Sequence, residues 1–200
     1  MGIVLRLFLI VCFSHQMEAR PISYSGGSTI MTMSDNMKDS FYYHYSPTFK
    51  YSIGIEAIKD KLFDKDYSYV RFTYLVNRKN TRMSQRNLYF QSGVSLEDKD
   101  NHFFGLHGDW ETRKLFAGFG YKESFNKFQD YTEKFFQTGF APYVGEYGDL
   151  HTWIMLKSKH NSIKGDWNTY PVLKFFKGNF LIELGYDKQT NWDIHLMYRF

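Results

Sequence analysis

Two acid–histidine pairs, His107/Asp109 and Asp149/His151, have the spacing at which a carboxylate could orient an imidazole for general-base work. Each is i, i+2, so on an extended strand both members share a face. No serine stands plainly beside either, and no Gly-x-Ser-x-Gly elbow is present to offer a nucleophile. The weightier expectation for both pairs is a hydrogen-bonded polar network. Met31 and Met33 share a strand face, with Met37 in the next turn, and three thioethers at such spacing could hold Cu(I). His44, His107, His151 and His195 fall on polar faces, but no HxxxH or CxxC spacing defines a metal site. Neither a metal nor an organic cofactor is expected.

What could position these groups follows from composition. The 200 residues include 20 Phe, 16 Tyr and 4 Trp, with only 4 Pro and 1 Cys. Past the N-terminus no apolar run approaches the ~18 residues of a membrane-spanning helix, and so many aromatics exclude a disordered chain. A net charge of +4 points to no nucleic acid. The cluster Arg78, Lys79, Arg82 and Arg86 reads as a solvated turn.

Ile3 to Phe13 is apolar apart from Arg6, and Ser14-His15-Gln16 and Met17-Glu18-Ala19 follow. This order predicts a secretory signal peptide over 1–19, cleaved after Ala19. Cleavage removes Cys12, so the exported chain cannot rely on disulfides. Residues 20–27 read as a short disordered or periplasmic lead, and 28–200 as one β domain.

The C-terminus carries the clearest period. Trp192, Ile194, Leu196, Tyr198 and Phe200 alternate with Asp193, His195, Met197 and Arg199. The period recurs in Val70, Phe72, Tyr74 and Val76 against Arg71, Thr73 and Asn77, and in Phe180, Ile182, Leu184 and Tyr186 against Asn179, Glu183 and Gly185. About twelve strands are expected, beginning near residues 28, 40, 50, 67, 86, 102, 114, 132, 149, 169, 179 and 191. Ten remain if the first pair is not fully inserted. Connections at 46–49, 111–114, 145–149 and 177–178 are short, and those at 60–66, 124–131 and 160–168 are longer and polar. The stretch 78–85 is the misfit, being long and basic for a turn on the terminus side.

With its final strand ending in Phe200, the chain resembles bacterial outer-membrane β-barrel proteins. That resemblance implies an all-β, antiparallel up-and-down transmembrane barrel with lipid outside and a polar lumen. Trp192, Ile194, Leu196, Tyr198 and Phe200 then form the signal read by the barrel-assembly machinery. Outer-membrane lipids and small solutes are the other implied partners, in the outer membrane of a Gram-negative bacterium. Tyr43, Tyr45, Trp110 and Trp192 suit interfacial girdles. The predicted lumen holds His44, Glu56, Arg71, Glu97, His107, Asp109, Glu111, Arg113, Lys122, His151, Lys157, Lys159, Glu183, Asp193, His195 and Arg199, with Tyr89, Tyr143 and Trp153 to narrow it. Its mixed signs suit cross-lumen ion pairs or a narrow, weakly selective pore, or a structural or envelope-stress role.

Three rivals stay open. An outer-membrane lipid hydrolase would need a Ser–His pair at the outer rim. The nearest feature, His160-Asn161-Ser162, has the wrong spacing for the outer-membrane phospholipase A signature. A soluble lipocalin-like barrel binding a hydrophobic ligand would turn the apolar faces inward. Segments such as His44-Tyr45-Ser46-Pro47 and Gly148-Asp149-Leu150-His151-Thr152-Trp153 resemble uncharacterised proteobacterial proteins found with copper-efflux genes, implying a copper-stress envelope role.

Overall fold

The computed structural model describes residues 21–146, 148–189 and 191–200, so the expected signal peptide over 1–19 lies outside them. Twelve antiparallel strands follow one another around a closed ring: β1 (Gly27–Ser34), β2 (Lys38–Thr48), β3 (Tyr51–Asp60), β4 (Lys65–Asn80), β5 (Ser84–Ser95), β6 (His102–Thr112), β7 (Leu115–Phe125), β8 (Tyr131–Phe140), β9 (His151–Asn161), β10 (Trp167–Lys177), β11 (Phe180–Asp187) and β12 (Asn191–Arg199). Every expected strand is present, each beginning within two residues of its expected position. The first pair is fully part of the ring, which removes the ten-strand alternative.

Closure leaves no strand edge unpaired. The seam joins β1 to β12, with Thr29 opposite Arg199 and Met31 opposite Met197. Ser28 and Phe200 exchange both backbone hydrogen bonds, at 2.8 and 3.0 Å. The last residue of the chain therefore completes the ladder, and its ring stacks on Tyr198 with centroids 6.0 Å apart.

Turn chemistry sets the registers. Lys177 pairs with Phe180 across Gly178-Asn179, and Gly178 takes φ +58°, as tight two-residue hairpins require. Gly54 serves the wall itself: a Cβ there would lie 2.1 Å from the Tyr43 carbonyl oxygen, on the strand beside it. The basic misfit resolves simply, because β4 runs to Asn80 and β5 starts at Ser84, so 78–85 is mostly paired strand and the turn is only 81–83. One other expectation is corrected. The short turn at 145–149 is part of a longer connection between β8 and β9, and Pro142 in it lies beyond the last residue of β8, where it breaks no ladder.

Residues 21–26 are not a disordered lead. They fold into the terminus-side mouth, where Ser52 Oγ donates to the Pro21 carbonyl oxygen at 3.1 Å and the Ser23 amide donates to Ser46 Oγ at 2.9 Å. Ile22 is buried against Leu75 and Tyr89, so the segment crosses beneath β2 and β3 to reach β4 and β5. Small inward residues Ser46, Ser52 and Thr73 leave room for it. Ile22→Ala should cost about 2–3 kcal/mol of stability, read from the urea midpoint of the refolded barrel. No change would mean that the segment packs idly.

Candidate functional site

Side-chain direction decides which face is the interior. Ile53, Ile55, Val70, Phe72, Tyr74, Phe90, Leu106, Phe136, Ile154, Leu173 and Tyr198 all point outward and are exposed, between 36% and 58%. The residues between them point inward and include most of the charged side chains of the wall, together with glycines and with buried apolar clusters such as Met31, Leu181 and Met197 and Trp153, Met155 and Val172. A soluble barrel keeps its apolar face inside, since leaving it in water forfeits ~25 cal/mol per Å². The observed inversion therefore opposes the lipocalin-like reading. Tyr43, Tyr45, Trp110 and Trp192 are likewise exposed on the outer face.

The lumen is lined by ion pairs. On β8, Glu133 is a hub: its Oε2 lies 3.5 Å from Lys38 Nζ and 3.4 Å from Lys122 Nζ. In the ring β8 stands diametrically opposite β2, so the Lys38–Glu133 contact bridges the whole lumen. Arg71 Nη1 donates to Glu56 Oε2 at 2.7 Å, and its guanidinium lies 4.3 Å from the centroid of Tyr42. Lys157 donates to Asp193 at 2.8 Å, and Tyr170 donates to the same carboxylate oxygen. Lys159 reaches both Asp35 and Asp193. Nearer the terminus side, Glu183 lies 3.3 Å from Lys174 Nζ and 3.6 Å from His195 Nδ1.

Asp35 sits in the β1–β2 connection, outside the strands. Burial alone would raise its pKa, but Lys159 and then Lys38 outweigh that and hold the carboxyl well below the usual carboxylate range. A depressed folded-state pKa contributes stability that is complete above the unfolded value of about 4 and is lost as pH falls through the folded one. Thermal stability should therefore decline as the pH is lowered below about 4, and the Asp35→Asn variant should lose less over the same range. An identical decline in both would remove Asp35 as its source.

Most expected lumen residues face inward: His44, Glu56, Arg71, His107, Asp109, Glu111, Lys122, His151, Lys157, Lys159, Glu183, Asp193, His195 and Arg199. Asp109 accepts from Asn87 Nδ2 at 2.6 Å, and His107 lies between the rings of Tyr89 and Phe135. Three expectations fail. Arg113 is exposed in the β6–β7 turn, because β6 ends at Thr112. Glu97 lies past the end of β5, where it accepts from the Ser68 amide and Ser95 Oγ at 2.8 Å each. Tyr143 is 44% exposed in the 141–150 connection, while Tyr89 and Trp153 do fill the interior.

The positions considered for chemistry are dispersed. Asp149 precedes β9 and caps the Glu146 amide at 2.8 Å, so it shares no strand face with His151. His160 packs on Trp167, whereas Ser162 Oγ accepts from the Thr132 amide. Met31 is buried with Tyr42, Phe176, Leu181 and Met197, and Met37 Sδ accepts from Asn161 Nδ2. Among the described residues, no group of three or more His, Cys, Asp and Glu side chains could hold a metal ion.

Lys38, Lys174, Glu133 and Asp35 complete the network, although the sequence reading missed them. Glu133 and Lys174 sit beside long aromatic and apolar runs whose face is ambiguous. Strand parity alone would have found Glu133, since it shares a face with Gln137 and Gly139.

No protein-family model and no curated protein matches this chain. Among solved structures it is similar to the KdgM porin, with 13% identity and a TM-score of 0.53, covering 87% of this chain and 99% of that one. It is similar to the same porin in complex with disordered oligogalacturonate, at 14% identity and a TM-score of 0.55, with the same coverage. At such identity the likeness establishes a shared fold, the closed antiparallel barrel.

Proposed function

We propose that this chain is an integral outer-membrane β-barrel of a Gram-negative bacterium, and that its lumen is a narrow pathway for small solutes. The observation that carries this reading is the outer belt: apolar side chains are exposed all round the ring, while the paired charges lie inside it. Barrels that cross a bilayer need that arrangement. The shared fold with a porin supports the channel half of the reading.

The permeant class follows from the charge pattern. Acids accompany the lumen cations Lys38, Arg71, Lys122, Lys157, Lys159 and Lys174 at ion-pair distance. A polyanion would meet a carboxylate at every step, so the lumen suits small neutral or zwitterionic solutes and discriminates weakly between ions. Export through the periplasm, the signal peptide over 1–19 and recognition of Trp192, Ile194, Leu196, Tyr198 and Phe200 by the barrel-assembly machinery belong to the same reading.

Cell fractionation and reconstitution test it together. The mature chain should sediment with the outer membrane and migrate differently on a gel before and after boiling. In planar bilayers it should give small, weakly selective conductance steps. A soluble periplasmic chain with no heat-dependent shift would overturn the membrane reading. A membrane-embedded chain that never conducts, even when the lumen ion pairs are removed, would instead assign it a structural role.

A further inference from the structure

Exposed cations without an ion pair lie at both ends of the barrel. At the loop end Lys61 pairs with Asp39 at 2.6 Å and Lys127 with Asp98 at 3.0 Å, whereas Lys65, Lys99 and Lys164 are exposed and make no ion pair among the described residues. At the terminus end Lys79, Arg82, Arg86, Arg113 and Lys114 are all exposed, and none makes an ion pair among the described residues. They gather at one corner. The ladder between β3 and β4 stops at Tyr74, but β4 and β5 stay paired to Asn80 and Gln85, so this hairpin projects past its neighbour. The β6–β7 turn, carrying Arg113 and Lys114, lies on its other side.

Two like charges sit directly opposite each other within the corner, since Lys79 is the cross-strand partner of Arg86. Such a pair destabilises a sheet unless an anion lies between the two charges. Arg86 is in turn the cross-strand partner of Trp110, whose half-exposed ring lies on the apolar outer face. Tryptophan on that face marks headgroup depth in a spanning barrel. The cations thus stand at the level of lipid phosphates on the terminus side.

We infer that this corner binds the headgroup phosphates of anionic phospholipids in the leaflet at the terminus end. The inference rests on the membrane reading above. Basic residues near a bilayer surface attract anionic lipid at about fivefold in affinity for each cation.

The test reconstitutes the mature chain into phosphatidylcholine nanodiscs with and without phosphatidylglycerol, then measures the lipid retained after release by native mass spectrometry. Phosphatidylglycerol should be enriched over its bulk fraction. The enrichment should fall about fivefold in Lys79→Gln and again in the Lys79→Gln/Arg86→Gln double variant, with Arg113→Gln/Lys114→Gln as a second pair in an exposed turn. Lys61→Gln, at the opposite end, should leave it unchanged. Equal enrichment in every variant overturns the inference. So does binding of polyglutamate without any phosphatidylglycerol preference, which would assign the corner to an acidic macromolecule. Failure to enter either bilayer defeats the membrane reading itself, whereas entry into both without lipid preference defeats only this inference.

Discussion

Glu133→Ala is expected to destabilise the barrel by about 3 kcal/mol and to raise its conductance. The carboxylate is the shared partner of Lys38 and Lys122, with 17% of its side chain exposed, so truncation strands two poorly hydrated ammonium groups in the lumen. Removing one member of a buried ionic cluster costs about 3–5 kcal/mol because the remaining charge is uncompensated; partial solvation of the lumen places this cluster at the lower end. The same change removes the contact that joins opposite walls through Lys38, so the passage should widen. Urea unfolding in detergent micelles reads the first effect and single-channel recording the second. A stable variant with wild-type conductance would mean that the Lys38–Glu133 bridge neither holds the barrel together nor narrows it. Glu133→Gln separates the two effects: it keeps the side-chain volume, so an increased current there reflects lost charge and not a cavity.

Ile55→Arg should be comparably severe for a different reason. Ile55 lies midway along β3, points outward and is 54% exposed. In water an exposed isoleucine is replaced by arginine at little cost. At the midplane of a bilayer the same exchange costs about 2–4 kcal/mol. Folding into lipid vesicles should therefore be impaired in Ile55→Arg, while Lys59→Arg, further along the same outward face toward the loop end, should fold normally. Equal folding of both variants would mean that this face does not meet lipid.

The wall of the barrel was largely legible in the sequence, and the segment folded into its mouth was not. Alternation in Trp192 to Phe200 and in Val70 to Asn77 gives strand and face together, because the side-chain period of two admits only one register once a face is apolar. Arg113 and Tyr143 were misplaced because alternation carries no mark of where a strand stops. Thr112 closes the turn after β6 with its own hydroxyl, which accepts from the Lys114 and Leu115 amides at 3.1 and 2.8 Å. The folding of Ile22 into the mouth had no local signal at all. It depends on Ser46, Ser52 and Thr73 being small on three different strands, a complementarity visible only after the ring closes. Pairing within the lumen was foreseeable as mixed charge, but the choice of Lys38 as the partner of Glu133 follows from their opposed places in a ring of twelve.

The central claim is that lipid lies outside the ring and water inside, and adjacent positions on β5 test it most directly. Phe90 points outward and Gln91 inward, and the one cysteine of the sequence, Cys12, lies within the expected signal peptide, so each variant of the mature chain carries a single cysteine. Spin labels at Phe90→Cys and Gln91→Cys, reconstituted in vesicles, are compared for collision with oxygen, which concentrates in lipid, and with a polar nickel chelate, which does not. The account predicts high oxygen and low nickel accessibility at 90, with the oxygen preference lost at 91. The reverse pattern, or strong nickel accessibility at 90, would contradict it.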